Sequence, residues 1–95
     1  MKFEWDQQKN QGNIAKHQLD FADAYKVFKL PLRVSLDERQ DYGEERWIGL
    51  GLLDGRVVVI VFTEIDEQTI RVISLRKALP YEQKYYEQYL RDELG

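Results

Sequence analysis

The sequence predicts an α+β domain in the order β-α-α-β-β-β-β-α, with an antiparallel sheet packed against two N-terminal helices and a C-terminal helix. Three observations support this prediction. The 95 residues suffice for one modest core, and therefore for a single domain over residues 1–95. Asp54-Gly55 is a strong hairpin signal between two apolar segments. Segments at both ends of the chain have the residue pattern of helices.

The first half of the chain is predicted to hold one strand and two helices. Asp6 is a good N-cap for the first helix, but Gly12 weakens that helix by about 1 kcal/mol relative to alanine. Other contacts must therefore hold it in place. Asp20 is the predicted N-cap of the second helix, and Pro31 ends that segment. The predicted ranges are 2–5 for the strand, 6–17 for the first helix and 21–28 for the second.

The second half of the chain is predicted to hold four strands and the last helix. The apolar run over residues 57–62 is typical of a central strand that is covered on both faces. Pro80 suits the first turn of the last helix. The predicted ranges are 32–36, 46–53, 57–64 and 69–76 for the strands and 80–93 for the helix.

Composition excludes several classes of protein. The absence of cysteine excludes disulfides, thiolate chemistry and cysteine-type zinc sites. The sequence contains neither a transmembrane-length apolar run nor the apolar core of a signal peptide, so we expect a cytoplasmic protein without membrane contact. A net charge of −3 argues against broad, sequence-independent binding of nucleic acid. Lysine and arginine nevertheless cluster within residues 9–16 and 71–77.

The first helix carries a polar stripe, because Lys9, Asn13 and His17 are spaced i, i+4, i+8 with Lys16 beside them. In a functional interpretation, this stripe contacts an anionic ligand. In a structural interpretation, Asn13 bonds the helix to a loop and the charge of His17 complements the helix dipole. The spacing alone favours the structural interpretation.

The last strand carries two arginines whose positions follow from strand alternation. Regular alternation places Ser74 and Arg76 on the face of Val72, and Arg71 and Leu75 on the opposite face. A guanidinium near the core must find an anion or carbonyl groups, because an unpaired buried charge is costly. A structural ion pair of Arg76 with Asp6 or Glu82 is as good an explanation as a ligand site.

Two weaker signals lie outside the first helix and the last strand. Glu45 and Arg46 supply a candidate base and a candidate cation at a strand entrance, where charged residues are usually just solvated. Tyr81, Tyr85 and Tyr89 form a stripe on the last helix that is typical of a core or subunit contact, with base stacking as the less favoured alternative. No metal-ligand spacing or nucleotide-binding motif is present, so any catalysis should be cation-driven, without metal or cofactor.

Taken together, the pattern resembles the BrnT family of bacterial type II toxins. The similarity runs through most of the chain in the family's order, which makes it more specific than any single motif. The residues that carry it are Phe3-Glu4-Trp5-Asp6, Lys9, Asn13, Lys16-His17, Phe21, Ala24, Gly43-Glu44-Glu45-Arg46, Thr63, Arg71-Val72-Ile73-Ser74, Arg76-Lys77-Ala78, Glu82 and Tyr86.

The resemblance implies a RelE-like fold and a metal-independent endoribonuclease that cleaves mRNA and stops translation. It also implies a BrnA-like antitoxin that binds operator DNA on behalf of the pair, and it leaves open a dimer or a heterotetramer with that antitoxin. In this family the reaction would leave a 2′,3′-cyclic phosphate. The implied catalytic residues are Arg76, Arg46, Glu45, His17 and Lys9. The implied RNA-binding residues are Arg71, Lys16, Lys77, Asn13 and Ser74.

Three features depart from the family pattern. Gln18 stands where glycine is common, which predicts a differently shaped helix end. Leu75 stands where a small residue is usual, which predicts crowding near Arg76. The acidic balance is unusual for an RNA-directed toxin and favours the alternative of a non-catalytic binding module that kept only the partner surface. A small-molecule enzyme is a weaker third alternative, supported only by the polar stripe.

Overall fold

The chain folds into a five-stranded sheet with helices on both faces, as seen in a computed structural model that describes residues 1–94. Gly95, the last residue of the predicted domain, lies outside the described residues. The predicted element order is confirmed, although the second helix starts with a 3-10 turn. The elements are β1 (Lys2–Glu4), α1 (Gln7–His17), the 3-10 turn (Phe21–Asp23), α2 (Ala24–Val27), β2 (Arg33–Leu36), β3 (Trp47–Leu53), β4 (Arg56–Asp66), β5 (Thr69–Lys77) and α3 (Pro80–Leu94).

The strands are arranged in the order β1-β5-β4-β3-β2. All neighbouring pairs are antiparallel except β1 and β5, which run parallel. The predicted antiparallel sheet is therefore correct for β2 to β5 and wrong for β1. The physical reason is that β1 and β5 are separated by most of the chain, so no tight turn imposes an antiparallel direction on them.

The hairpin between β3 and β4 forms at the predicted turn. Asp54 has φ 50° and Gly55 has φ 80°, so both central residues lie in the left-handed region. This is the backbone of a two-residue type I′ turn, whose twist matches that of the flanking strands. The turn fixes the register in which Leu53 pairs with Arg56 and Leu52 with Val57.

Strand β4 lies at the centre of the sheet and is buried on both faces, as predicted. Side chains of Val58, Ile60 and Phe62 pack toward the N-terminal helices, whereas Val57 and Val59 belong to a second core beneath α3. The helical layer lies very close to β3, because a Cβ at Gly51 would stand 2.7 Å from Cγ1 of Val27. Any side chain at Gly51 would force α2 away from the sheet.

The ends of α1 are determined by two local interactions. The Asp6 carboxylate accepts hydrogen bonds from the backbone N–H groups of Gln8 and Lys9, which confirms Asp6 as N-cap. At the other end, Gln18 has φ 59°, a left-handed conformation that glycine adopts freely and that costs other residues about 1–2 kcal/mol.

Within residues 1–94, no helix combines the length and the apolar character needed to span a membrane.

A β-bulge in β5 reverses the predicted alternation of that strand. Val61 pairs with Ser74 whereas Phe62 pairs with Val72, so Ile73 is the extra residue. Residues that pair across two strands point to the same face of the sheet. The bulge therefore moves every residue after Ile73 to the face opposite the one that strict alternation assigns.

The arginines consequently share a face, contrary to the prediction. Arg71 pairs with Thr63 and Arg76 with Val59, and both partners lie on the α3 face of β4. The prediction that Arg76 shares the face of Val72 is also wrong. Crowding of Arg76 by Leu75 is excluded as well, because the fully buried Leu75 packs into the core beneath the N-terminal helices.

Candidate active site

Helix α1 lies along the open edge of β5, where the short strand β1 has ended, and Asn13 joins the two. The Asn13 amide donates to the carbonyl oxygens of Leu75 at 2.8 Å and Leu19 at 2.9 Å, and its side-chain oxygen accepts from the Leu75 N–H at 3.2 Å. Asn13 thus replaces a neighbouring strand at Leu75. Its polar atoms are used inside the fold, as the structural interpretation of Asn13 predicts.

Asn10 has a comparable structural role that the sequence reasoning missed. Its side-chain oxygen accepts from the Phe21 N–H at 2.8 Å, and its amide donates to the Asp20 carboxylate at 2.9 Å. Asp20 in turn accepts from the Ala22 N–H, and these bonds keep the pKa of its carboxyl below the ordinary value. The i, i+3 spacing of Asn10 and Asn13 is the signal that could have indicated one buried polar face on α1.

Lys9 and Arg71 line the same cavity, where the end of β1 meets β5. The cavity measures about 340 Å³, and Glu4 also lines it. Arg71 forms an ion pair with Glu4 at 3.6 Å, and both side chains are about half exposed. A cation on α1 and a cation on the sheet therefore face one open volume beside a carboxylate. The cavity is lined by Glu4, Trp5, Asp6, Lys9, Arg71, Val72 and Ile73.

Arg76 is held by Glu82 at the start of α3 through a two-pronged ion pair. Its Nη1 and Nη2 atoms donate to the two carboxylate oxygens at 2.8 and 2.9 Å. Glu82 also accepts from the Leu79 N–H at 2.8 Å, so it caps α3 as well. This pair confirms the structural alternative for Arg76, with Glu82 and not Asp6 as its partner. Burial opposes the charged forms, but the pairing dominates and lowers the pKa of Glu82.

The Arg76 guanidinium keeps one edge available despite this pair. Its Nη1 group also donates to the Lys77 carbonyl at 3.3 Å. Among the bonds formed within residues 1–94, the Nε–H and one Nη2–H remain unused, and they point in parallel from the same edge. The side chain is 33% exposed, so solvent reaches it. This fork has the geometry that recognises a carboxylate or a phosphate.

His17, at the C-terminal end of α1, lies within the electrostatic reach of Arg76. Its pKa is lowered from 6.5, first by partial burial and then by the positive charges of Lys16 and Arg76. A pKa below 6.5 favours the neutral imidazole at pH 7. The predicted charged interaction of His17 with the helix dipole is accordingly weak. A neutral imidazole can accept a proton, and the anchored Arg76 guanidinium lies close enough to affect its pKa.

The loop between β2 and β3 also contributes charges near Arg76. The buried Asp37 accepts two bonds at 2.8 Å from Arg39, and these bonds lower the pKa of Asp37 to about 2. The Arg39 charge opposes that of Arg76 electrostatically. In the same loop, Arg46 lies 4.1 Å from the centre of the Tyr42 ring and bonds Glu44 at 3.3 Å.

The predicted site residues thus form two cationic groups on one side of the molecule. Lys9 and Arg71 make up the first group, and Lys16 and Arg76, whose charges both act on the neutral His17, make up the second. Because their partners Thr63 and Val59 are four residues apart on β4, Arg71 and Arg76 are about 13 Å apart along the sheet at about 3.3 Å per residue. A chain of phosphates could reach both groups, whereas one small ligand could not.

The remaining candidates have different surroundings. Ser74 lies between the two arginines on the α3 face and is partly buried. Lys77 pairs with Val58, so it projects from the opposite face of the sheet to Arg76. Glu45 is exposed, and its carbonyl accepts from the Thr63 hydroxyl at 2.7 Å, which fixes its backbone beside β4.

The tyrosine stripe of α3 divides into a core part and an exposed part. Tyr86 is fully buried, and its hydroxyl donates to the Pro31 carbonyl at 2.6 Å. Tyr81 and Tyr85 are more than half exposed, and Arg33 stacks on the Tyr85 ring at 4.4 Å. The core alternative is wrong for Tyr81 and Tyr85, whereas the partly buried Tyr89 packs with the adjoining Tyr86 against the core beneath α3. A subunit contact of the two exposed tyrosines stays a prediction.

Known proteins resemble the chain in sequence and in structure. Residues 5–82 match the family model described as the ribonuclease toxin, BrnT, of type II toxin-antitoxin systems. The chain belongs to the BrnT family. The 1.1 Å crystal structure of the Brucella abortus ribonuclease toxin BrnT matches with a TM-score of 0.65 and 32% sequence identity, over 83% of this chain and 97% of that chain. No curated protein sequence matches the chain.

Membership of the BrnT family implies a protein partner, because a type II toxin is paired with a protein antitoxin. The matched region contains both cationic groups. Within residues 1–94, no group of three or more His, Cys, Asp or Glu side chains is arranged to hold a metal ion.

Proposed function

We propose that this BrnT-family chain is a RelE-like, metal-independent endoribonuclease that cleaves mRNA in the cytoplasm and thereby stops translation. The observation that carries the proposal is the anchored Arg76 guanidinium, which keeps a parallel pair of unused donors and lies close enough to His17 for its charge to lower the pKa of that imidazole. Together these groups supply a base and an anion binder, which are what internal transesterification of RNA requires.

In the proposed reaction, the 2′-oxygen of a ribose attacks the adjacent phosphorus while His17 removes the 2′-hydroxyl proton. The P–O5′ bond then breaks, the departing 5′-oxygen takes a proton, and a 2′,3′-cyclic phosphate remains. The free edge of Arg76 stabilises the negative charge that develops on the phosphate oxygens. No metal is needed, because the charge stabilisation comes from side chains.

The other predicted site residues have supporting roles in this proposal. Lys9 and Arg71 bind a neighbouring phosphate of the RNA in their cavity. Lys16 adds positive charge near His17. Lys77, on the opposite face of the sheet to Arg76, would meet the RNA only beyond the end of β5. Arg46 contributes a second cation from the β2–β3 loop, and Glu45 is the alternative acid or base. Asn13 and Ser74 orient the elements that carry the cations. The two hydrogen bonds between the Asn13 side chain and the Leu75 backbone support this role for Asn13.

The cognate antitoxin in this proposal is a BrnA-like DNA-binding protein, so the chain meets operator DNA only through that partner. The toxin and antitoxin would assemble into a dimer or a heterotetramer. The net charge of −3 agrees with a toxin that does not bind DNA by itself.

Purified chain incubated with RNA in EDTA tests the proposed activity directly. We expect cleavage to continue in the chelator, with products ending in a 2′,3′-cyclic phosphate, because side chains supply all the proposed catalytic groups. End-group analysis of the fragments measures this outcome. Intact RNA, together with normal binding of the antitoxin, would instead select a non-catalytic module that kept the partner surface.

The pH dependence of cleavage tests the role of His17. Because a general base acts in its unprotonated form, the rate should fall as the pH drops through the His17 pKa. That pKa is below 6.5, so the midpoint of the acidic limb should lie below pH 6.5. Values of kcat/KM determined from about pH 5 to about pH 8 give this midpoint.

A matched pair of lysine variants tests whether nearby positive charge lowers the pKa of His17. Lys16→Gln should raise the midpoint toward 6.5, because it removes one of the positive charges that lower the pKa of His17. Lys84→Gln makes the same charge change on an exposed site of α3 and should leave the midpoint in place. Equal midpoints in all three proteins would rule out His17 as the base.

A further inference from the structure

Strand β2 is an outer strand of the sheet and leaves backbone groups without a strand partner. The Asp37 N–H donates to the Arg46 carbonyl at 2.7 Å, which fixes the alternation of hydrogen-bonded pairs along β2 and β3. In an antiparallel pair, every second residue bonds to the neighbouring strand. The backbone groups of Arg33 and Ser35 therefore bond to β3, whereas the N–H and C=O groups of Val34 and Leu36 point outward. The outer edge of β2 can therefore accept another strand.

Apolar side chains accompany this open edge. Val34 is 43% exposed and Leu36 is 42% exposed, and both lie on the same face of β2. Natural edge strands are usually protected by charges, prolines or bulges, because an open apolar edge invites pairing with another chain. Pro31 and Arg33 protect the start of β2, but within residues 1–94 no helix covers Val34 and Leu36.

A group of carboxylates borders the same face. Leu36 pairs with Trp47, and Trp47 lines a cavity of about 430 Å³ together with Glu44, Glu45 and Glu64. All three carboxylates belong to exposed residues. An apolar edge with an acidic border is complementary to an extended segment that alternates apolar and basic side chains.

We propose that an extended, basic segment of the antitoxin protein adds to the outer edge of β2 as a sixth strand; this inference rests on the proposed function. Main-chain bonds to Val34 and Leu36 would supply the docking geometry, and lysine or arginine side chains of the segment would face the three glutamates. The acidic border and the net charge of −3 favour a basic partner over a second copy of this acidic chain.

The same docking suppresses the toxin. A strand on β2 reaches the start of the β2–β3 loop, where Asp37 bonds Arg46, and its basic side chains compensate the charge of Glu45. It thereby fixes the loop that carries Arg46 while leaving His17 and Arg76 in place. The antitoxin would thus inhibit cleavage without entering the cavity of Lys9 and Arg71.

The test uses the chain and the antitoxin protein produced from the neighbouring gene, with affinity measured by titration calorimetry. Val34→Pro removes an outward N–H without breaking a bond to β3, so it should weaken binding by at least about tenfold. Val34→Thr keeps that N–H and should bind within about threefold of the wild type. Glu64→Lys should weaken binding about tenfold at low salt, and Glu93→Lys, on the far end of α3, should not.

RNA cleavage by the free variants separates this inference from the proposed function. Val34→Pro and Glu64→Lys should cleave RNA like the wild type but resist inhibition by the antitoxin. Undiminished antitoxin binding by a folded Val34→Pro variant overturns the inference, whether or not the chain cleaves RNA. A wild-type homodimer that Val34→Pro converts to a monomer also overturns it, because a second copy would then occupy the edge.

Discussion

Replacing Arg76 with alanine is expected to lower the rate of RNA cleavage by about 10²–10³-fold, the loss typical of removing one preorganised donor to transition-state charge. The physical reason is that Glu82 holds the guanidinium at two points and leaves a parallel pair of donors for the phosphate. Single-turnover cleavage of a short RNA measures the loss. Arg76→Lys should recover little, because a lysine ammonium lacks the planar fork.

The matched control addresses the structural role of the same residue. Both partners of the ion pair are partly exposed, so the pair itself contributes only about 1 kcal/mol to stability. Glu82→Gln weakens the pair but leaves the Arg76 fork, so it should lower stability about as much as Arg76→Ala while losing at most about tenfold in cleavage rate. If folded Arg76→Ala cleaves RNA within a few-fold of the wild type, Arg76 is only the anchor of α3.

Replacing Asn13 with alanine is expected to cost about 3 kcal/mol of folding free energy. The substitution leaves the N–H and C=O of Leu75 and the C=O of Leu19 without their partner, and the two groups of Leu75 are buried. Each unsatisfied buried group costs about 1–3 kcal/mol, which is large against a total stability of about 5–15 kcal/mol. Urea unfolding, compared at equal m-values, measures the loss.

Gln11→Ala is the control for Asn13, because Gln11 is exposed on the same helix. We expect that variant to stay within about 0.5 kcal/mol of the wild type. An Asn13→Ala variant that is equally stable would show that water satisfies Leu75, and Asn13 would then be free for the contact with RNA that the resemblance implies. If Asn13→Ala is less stable but cleaves RNA at the wild-type rate at low temperature, the role of Asn13 is only to position α1.

Local sequence signals predicted the elements well because each depends on neighbouring residues. Asp6 marks the start of α1 through bonds to residues two and three positions later, and Asp54-Gly55 needs only its own backbone to form the turn. The unbroken apolar run of β4 likewise indicated a strand buried on both faces. These predictions required no knowledge of distant partners.

The candidate site could be predicted only as a set of residues. Sequence reasoning selected Arg76, His17, Lys9 and Arg71, but it placed the two arginines on opposite faces. Strict alternation fails at Ile73 because the bulge arises from the register between β4 and β5, which no local pattern of β5 reveals. The choice of Glu82 over Asp6 as partner of Arg76 depended on where α3 begins relative to the end of β5.

The α+β class, the order of the elements, the turn at Asp54-Gly55 and the resemblance to the BrnT family could all be predicted without the structure, because short-range patterns and residue order encode these properties. Tertiary structure alone decided that β1 runs parallel to β5, that Asn13 completes the edge of β5, and that Arg71 and Arg76 share one face. Each of these three features depends on contacts between residues that are far apart in the chain, and such contacts exist only once the sheet has formed.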